Sequence, residues 1–332
     1  MPELRQDPIT GRWVIIAPQR AARPWHIRSA ENEAPSEACP FCAGNETMTP
    51  PEVWADRDRG TQPNTPGWRV RVVPNKYPAF EDRLEATEAN DDLYKAQAGL
   101  GVHEVIVESP EHAVQMTNLG AVELAGVLRA YRTRLGVLQQ DPRWRYLLIY
   151  KNQGERAGAT LEHIHSQLVA LPFVPPEAAD ELQGARTHFE RAGSCIFCAI
   201  IERERKYGER LVLESARFIA LCPFAPRFAY ETWILPKLHA AHFTRSSEEE
   251  ITALGAMLCD LLAKLNAVAG PAPFNYLLRS APAAEMIDEF YHWHLEILPQ
   301  WNRAAGFEWG SGMHMNPLAP EEAARLLRDA PG

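Results

Sequence analysis

Residues 158–172 read GATLEHIHSQLVALP, and residues 290–300 read FYHWHLEILPQ. Each sets two histidines either side of one apolar residue, then runs into an apolar strand ending at a proline. His163 and His165, like His292 and His294, are two residues apart, so on a strand each pair would share one face. Working outward from the pairs, the same landmarks recur in the same order. A C-x-x-C comes first, CPFC from Cys39 to Cys42 and CIFC from Cys195 to Cys198. An apolar strand followed by proline and histidine comes next, GVHEVIVESPEH at 101–112 and YETWILPKLHAAHF at 230–243. Three landmarks in one order, twice, point to an internal duplication. The division falls near residue 190, after the proline-rich LPFVPPEAADE, giving expected units of 1–190 and 191–332.

Between the landmarks, strand and helix signals alternate in both halves. HEVIVES, RYLLIYKN, RFIALC, ETWILP, FNYLLRS and YHWHLEIL read as strands. Apolar residues at helical spacing mark one helix through Ala121, Leu124, Leu128, Tyr131 and Leu135. They mark another through Ile251, Leu254, Met257, Leu258, Leu261 and Leu265. The tail APEEAARLLRDA reads as a short helix with acidic residues in its first turn. Long helices inserted twice among antiparallel strands predict an α+β fold of two related units, with helices packed on the sheets.

The chain has 332 residues, 46% of them apolar, enough for a well-buried core. A net charge of -9 without Lys/Arg clusters argues against nucleic acid as a partner. A small phosphorylated ligand needs only a few local donors and stays open. The N-terminus is charged and broken by proline and glycine, unlike a secretory signal. No apolar run approaches the roughly 20 residues of a membrane span. The expectation is a cytoplasmic protein without membrane attachment.

Of the 6 cysteines, four lie in the two C-x-x-C pairs. Without an export signal such pairs suggest metal ligation more than disulfides, and thiolates with neutral imidazoles suit tetrahedral zinc. Cys222 and Cys259 sit in apolar runs and read as packing residues. A histidine from each H-x-H could complete a four-ligand site; the bland reading of each pair is a half-buried strand. Before the first pair, NQGERAGAT brings Asn152, Gly154 and Gly158 directly after a strand, where backbone N–H groups can approach an anion, and Thr160 adds a hydroxyl. It is neither a Walker loop nor a dinucleotide fingerprint.

The pattern N-x-G-x-x-x-G-x-[ST]-x-x-H-x-H-x-Q, carried by Asn152 through Gln167, resembles the galactose-1-phosphate uridylyltransferase family, a branch of the histidine triad superfamily. RVVPNKYPAF, ESPEH, HWHLEILPQ and GFEWGSGMHMNP extend the resemblance over nearly the whole chain. It implies two histidine-triad-like halves and transfer of UMP between UDP-glucose and a hexose 1-phosphate. His165 would be the nucleophile, forming a nucleotidyl-histidine that a second sugar phosphate resolves. Gln167 stands where related hydrolases carry a third histidine. Its neutral amide would donate to a phosphoryl oxygen without readily activating water.

By the same resemblance, Cys39, Cys42, His112 and His163 form a first zinc site, with His103 a rival to His112. Internal symmetry adds Cys195, Cys198, His239 and His292, with His242 a rival to His239. Some relatives instead hold iron with one glutamate and three histidines. Glu181, His292 and His294 match, but Arg279 stands at the remaining histidine position and cannot ligate iron, so zinc is expected at both. Plant members with this pattern carry two zincs and act as ADP-glucose phosphorylases, using inorganic phosphate as acceptor. Asn75, Asn152, Gly158 and Thr160 match positions near the nucleotide and its phosphates, and Glu308 one near the sugar hydroxyls. His314 replaces the hexose-reading glutamine, and Ile164 replaces a proline between the histidines. Arg20, Arg23 and Arg28 could reach a phosphate but read as surface residues. A nucleotide sugar, a hexose 1-phosphate and a homodimeric partner are the expected associations. A zinc-ribbon binding module is the reading from another class.

Overall fold

The computed structural model describes residues 2–22, 39–83, 88–90, 93–282, 287–301 and 304–332; Arg23 and Arg28 lie outside them. The chain opens with a hairpin, β1 (Glu3–Gln6) and β2 (Trp13–Ile16), then β3 (Trp54–Arg57) and β4 (Trp68–Pro74). A small hairpin, β5 (Glu88–Asn90) and β6 (Lys95–Gln97), precedes β7 (Val102–Val107), α1 (Ala121–Leu138), β8 (Tyr146–Gln153) and β9 (His165–Leu171). After α2 (Pro176–Ala192) and α3 (Ile196–Tyr207) come β10 (Leu211–Glu214), β11 (Phe218–Leu221), β12 (Thr232–Pro236) and α4 (Glu248–Ala269). The chain ends with β13 (Phe274–Arg279), β14 (His294–Pro299), α5 (Gly306–Ser311), β15 (His314–Asn316) and α6 (Pro320–Asp329).

Ten strands form one antiparallel sheet in the order β10-β11-β12-β14-β13-β8-β9-β7-β4-β3. Read from either edge toward the centre, the two halves use their strands in the same order, and β8 and β13 join them with Asn152 opposite Asn275. The duplication in the sequence is thus a repeat in the sheet, and the fold is α+β. The division drawn at residue 190 falls near the end of α2, whose Ala185 packs with the second half.

Helices α1 and α4 cover one face of the sheet. Leu124, Leu128, Tyr131 and Leu135 of α1 join Leu254, Leu258, Leu261 and Leu265 of α4 in the main core, at the 3–4-residue spacing that makes an apolar stripe. Ser247 caps α4: its hydroxyl accepts from the Glu250 N–H, and the Glu250 carboxylate accepts from the Ser247 N–H. Where the two helices meet, Gly255 has no room for a side chain. A Cβ there would lie 2.8 Å from the Ala121 oxygen and 2.8 Å from the Ala125 nitrogen. Helix α4 has 22 residues and is long and apolar enough to cross a membrane, although charged residues interrupt its sequence. Its Ile251, Leu254, Leu258 and Leu261 are fully or almost fully buried against protein, as in a core helix.

The opposite face is treated differently in the two halves. Over the second half, α2, α3 and Ile9 form a separate apolar cluster with Ile219, Leu221, Trp233 and Leu235. Over the first half, Cys39 and Phe41 pack on Val73, Val105 and Val107, while Leu148, Tyr150, Asn152 and Gln167 stay half-buried. The hairpin β1–β2 pairs in parallel with β15, setting His314 opposite Val14.

One expectation needs correction. β9 begins at His165 and β14 at His294, so His163 and His292 precede their strands and do not share a strand face with their partners. The reason is that the backbone leaves the ladder between the histidines: the Ile164 N–H donates to the Ala113 carbonyl at 2.8 Å and the Trp293 N–H to the Ala240 carbonyl at 2.9 Å.

Candidate active site

The approach of the chain to β9 gathers Cys39, Cys42, His112 and His163, with ligand atoms all within 4.8 Å of one another. Cys39 Sγ lies 3.5 Å from His163 Nδ1, and Cys42 Sγ lies 3.4 Å from His112 Nδ1. Metal–sulfur and metal–nitrogen bonds of about 2.3 and 2.0 Å at a tetrahedral angle separate S from N by about 3.5 Å. The tetrad therefore fits one tetrahedral ion. His163 Nε2–H donates to the Ser109 carbonyl at 2.9 Å, which leaves the Nδ1 lone pair for the ion. Burial pushes the His163 ring down to about 4, keeping it neutral.

Cys195, Cys198, His239 and His292 repeat the arrangement. Cys198 Sγ stands 3.3 Å from His239 Nδ1 and 3.6 Å from His292 Nδ1, and the Nε2–H groups donate to the Asp288 and Pro236 carbonyls respectively. His242 instead faces the Asp288 carboxylate at 3.2 Å, and His103 belongs to another network, so neither rival joins a tetrad.

His165 follows directly on β9. Its Nδ1 donates to the His163 backbone carbonyl at 2.7 Å, which leaves Nε2 unprotonated with a free lone pair. Burial lowers the affinity of this ring for a second proton. Phe41 packs against it at 5.2 Å between ring centroids. The β8–β9 register sets Tyr150 opposite Gln167 and Lys151 opposite Ser166. Continued by one residue, it sets Asn152 beside His165. Asn275 on β13 donates to Asn152 Oδ1 and to the Ala157 carbonyl, both at 2.8 Å. With its oxygen so held, Asn152 can turn its amide hydrogens to the open face.

Gly158 closes a short turn over Glu155–Ala157 with φ 90, a left-handed conformation that suits glycine. Thr160 is exposed on the loop that follows. Asn75 lies after β4, its backbone N–H donating to the His103 carbonyl at 2.8 Å, in one network with Gln167. His314 rests on Phe228 at 5.5 Å and shares with Asn152, Asn275, Arg12 and Arg227 the lining of a cavity of about 530 Å³. Glu308 is half-buried on α5, its carboxylate accepting from the Ala305 N–H at 2.9 Å. The structure thus brings Asn75 together with Gln167 and Asn152 together with His314. Glu308 lies close enough to His314 to act on its charge, and Thr160 remains exposed on its loop.

A sequence model of the galactose-1-phosphate uridyl transferase N-terminal domain matches residues 1–175, more than half of the chain. The chain belongs to the galactose-1-phosphate uridylyltransferase family. Residues 101–329 also match a family described as a domain of unknown function, DUF4921. Among curated relatives of this uridylyltransferase-family chain, an ADP-glucose phosphorylase of Arabidopsis thaliana is 36% identical over 99% of this chain and 93% of its own. A galactose-1-phosphate uridylyltransferase of Thermotoga maritima is 28% identical over 99% of this chain and 98% of its own. The crystal structure of an Arabidopsis thaliana ADP-glucose phosphorylase with bound ADP-glucose has a TM-score of 0.85 at 34% identity, covering 100% of this chain and 99% of that one.

Against that family background, the second half keeps the scaffold of the first and loses its opening. His294 Nδ1 donates to the His292 carbonyl at 3.1 Å, as His165 does to His163. His294, however, is 1% exposed against 8% for His165. Phe197 and Trp233 lie against its ring at centroid distances of 4.9 and 5.4 Å. Glu296 takes the place of Gln167, and Arg279 Nε bonds it at 3.1 Å. Glu181, His294 and Glu296 are close enough to surround a cation, but the Arg279 guanidinium stands among them, 3.8 Å from Glu181. Burial works to lower the His294 pKa; Glu296 and Glu181 outweigh it and raise it.

Sequence reasoning missed two groups. Asn275 lies in a strand where a polar residue reads as outward-facing. Lys151 is buried on the helix-covered face, donating to Glu108 at 2.5 Å and to the His165 backbone carbonyl at 3.2 Å. Its ion pair steadies the strand that carries His165, and the signal was a lysine at the position where the alternation of Leu147 and Ile149 puts a side chain into the core.

Proposed function

We propose that the chain transfers a nucleoside monophosphate from a nucleotide sugar through a covalent intermediate on His165. The supporting observation is the hydrogen bond from His165 Nδ1 to the His163 carbonyl, which leaves Nε2 as a nucleophile. Nε2 attacks the α-phosphorus; a P–N bond forms, the P–O bond to the sugar phosphate breaks, and hexose 1-phosphate leaves with that electron pair. An oxygen of the acceptor phosphate then attacks the same phosphorus and the P–N bond breaks. Gln167 and Asn152 donate amide hydrogens to the phosphoryl oxygens, where charge develops. The leaving group is a stable phosphate anion, so no strong acid is required.

Two thiolates and two imidazoles at tetrahedral spacing favour zinc in each tetrad. Such an ion would hold rigid the segment from which His165 emerges, and it takes no part in the displacement. Uridylyl transfer from UDP-glucose to a hexose 1-phosphate is the first pairing of donor and acceptor. The second, phosphorolysis of ADP-glucose, is favoured by the similarity to the Arabidopsis phosphorylase over almost the whole chain and by His314 where a glutamine is expected. Incubation with UDP-glucose or ADP-glucose, each with galactose 1-phosphate or inorganic phosphate, separates them. Turnover restricted to UDP-glucose with galactose 1-phosphate supports the first, and turnover restricted to ADP-glucose with phosphate supports the second. No turnover with any pair would remove both.

A further inference from the structure

An amide beside a phosphoryl group helps or hinders according to which end faces it: NH2 attracts the oxygens and C=O repels them. Gln167 alone does not decide this; its neighbours do. His103 Nε2 lies 2.7 Å from Gln167 Oε1. The other ring nitrogen, Nδ1, accepts from the Ala79 backbone N–H at 3.1 Å. A nitrogen that accepts carries no proton, so the proton of the neutral ring is on Nε2 and is donated to Gln167 across the shorter contact; the Asn75 amide nitrogen, 3.2 Å from the same Nε2, then faces a donor and makes no hydrogen bond to it. The Tyr150 hydroxyl donates to the same oxygen at 2.9 Å. Both lone pairs of Oε1 are thereby engaged, and turning the amide over would lose both bonds. The loop that supplies Ala79 is fixed in turn, the Asn75 N–H donating to the His103 carbonyl at 2.8 Å and the Tyr77 N–H to Asn75 Oδ1 at 2.9 Å.

The second half supplies a contrast. Val105 opposite Gln167 corresponds to Trp233 opposite Glu296, so His103 corresponds to Glu231 two residues upstream. There Arg227 bridges the two carboxylates, 3.4 Å from Glu231 and 2.5 Å from Glu296. Where the first half has a donor holding an acceptor, the second has two acceptors tied by a cation, with no amide to aim.

We propose that His103, in the tautomer imposed by the Ala79 N–H, is a positioning residue that turns the Gln167 amide so that its NH2 faces the reacting phosphoryl group. This rests on the transfer reading above. The test compares wild type, His103→Ala, His103→Gln, Gln167→Ala and the His103→Ala/Gln167→Ala double variant. It measures the single-turnover rate of nucleotidyl-protein formation from UDP-glucose and ADP-glucose, and separately the dissociation constant of the nucleotide sugar. Metal content and thermal midpoint check folding. His103→Ala is expected to slow adduct formation by about tenfold or more, while the dissociation constant moves far less. His103→Gln, whose amide can still donate to Oε1, is expected to recover part of the rate. In the Gln167→Ala background, His103→Ala should add nothing further. An unchanged rate in both His103 variants, or equal slowing with and without Gln167, overturns the inference while leaving the transfer reading intact. Absence of any adduct in wild type removes the transfer reading and this inference with it.

Discussion

The reactivity proposed for His165 rests on what its other nitrogen does: with Nδ1 bound to the His163 carbonyl, the lone pair of the neutral ring sits on Nε2. A His165→Gly change removes the proposed nucleophile without touching the tetrad. It is expected to abolish the nucleotidyl adduct and leave metal content at the wild-type level, read by intact-protein mass and by elemental analysis. Loss of metal instead would mean that the roles of His163 and His165 are exchanged. Asn275 offers a second residue-level test, because its amide holds both Asn152 Oδ1 and the Ala157 carbonyl. Asn275→Ala frees the Asn152 amide to turn its oxygen to the phosphate. The expected cost is about 1–2 kcal/mol in kcat/KM, or roughly tenfold, without loss of folded protein. An unchanged kcat/KM would show that Asn152 is oriented by something else.

At the level of elements, β9 is braced from behind by a buried charge pair. Lys151 and Glu108 are about 1% exposed, and the Tyr131 and Ser166 hydroxyls complete the shell around the carboxylate. Burial lowers the Lys151 pKa, and Glu108 opposes that shift. Lys151→Met would leave a buried carboxylate unpaired, and a loss of about 3–5 kcal/mol in urea unfolding is expected. Gly255→Val, forced against the backbone of α1, is expected to cost about 1–3 kcal/mol by the same measurement. Wild-type stability in the Gly255→Val protein would mean that the helices separate freely. These elements also mark what could be read beforehand. Strands β7, β8, β11, β12 and β13 and helices α1 and α4 follow from alternation or helical spacing of apolar residues, because each lays a continuous apolar stripe on the core. Helices α2 and α3 were not legible. The buried residues of α2 are Ala178, Glu181 and Ala185, a stripe too small and too polar to register as a core face. The tetrads were legible because thiols and imidazoles are rare and recur at fixed spacing. The roles of His103, Asn275 and Arg279 were not, because they depend on neighbours brought in by other strands.

At the scale of the molecule, duplication has produced one open half and one sealed half. His294 sits under Phe197 and Trp233, with its carboxylate neighbours neutralised by Arg279 and Arg227. A His294→Asn change is expected to lower stability but to retain one nucleotidyl group per chain, measured by intact mass. Both halves keep a tetrad, so two metal equivalents per chain are expected, falling to one in Cys39→Ser or in Cys195→Ser. Removal of both by a chelator should lower the thermal midpoint. The measurement that bears most directly on the whole account is the intact mass of the metal-loaded protein after incubation with a nucleotide sugar and no acceptor. The expected result is a gain of one nucleoside monophosphate, mapped to His165, absent in His165→Gly and discharged when acceptor is added. A folded, metal-loaded protein that gains no mass from either UDP-glucose or ADP-glucose, or that still gains it after His165→Gly, would contradict the account.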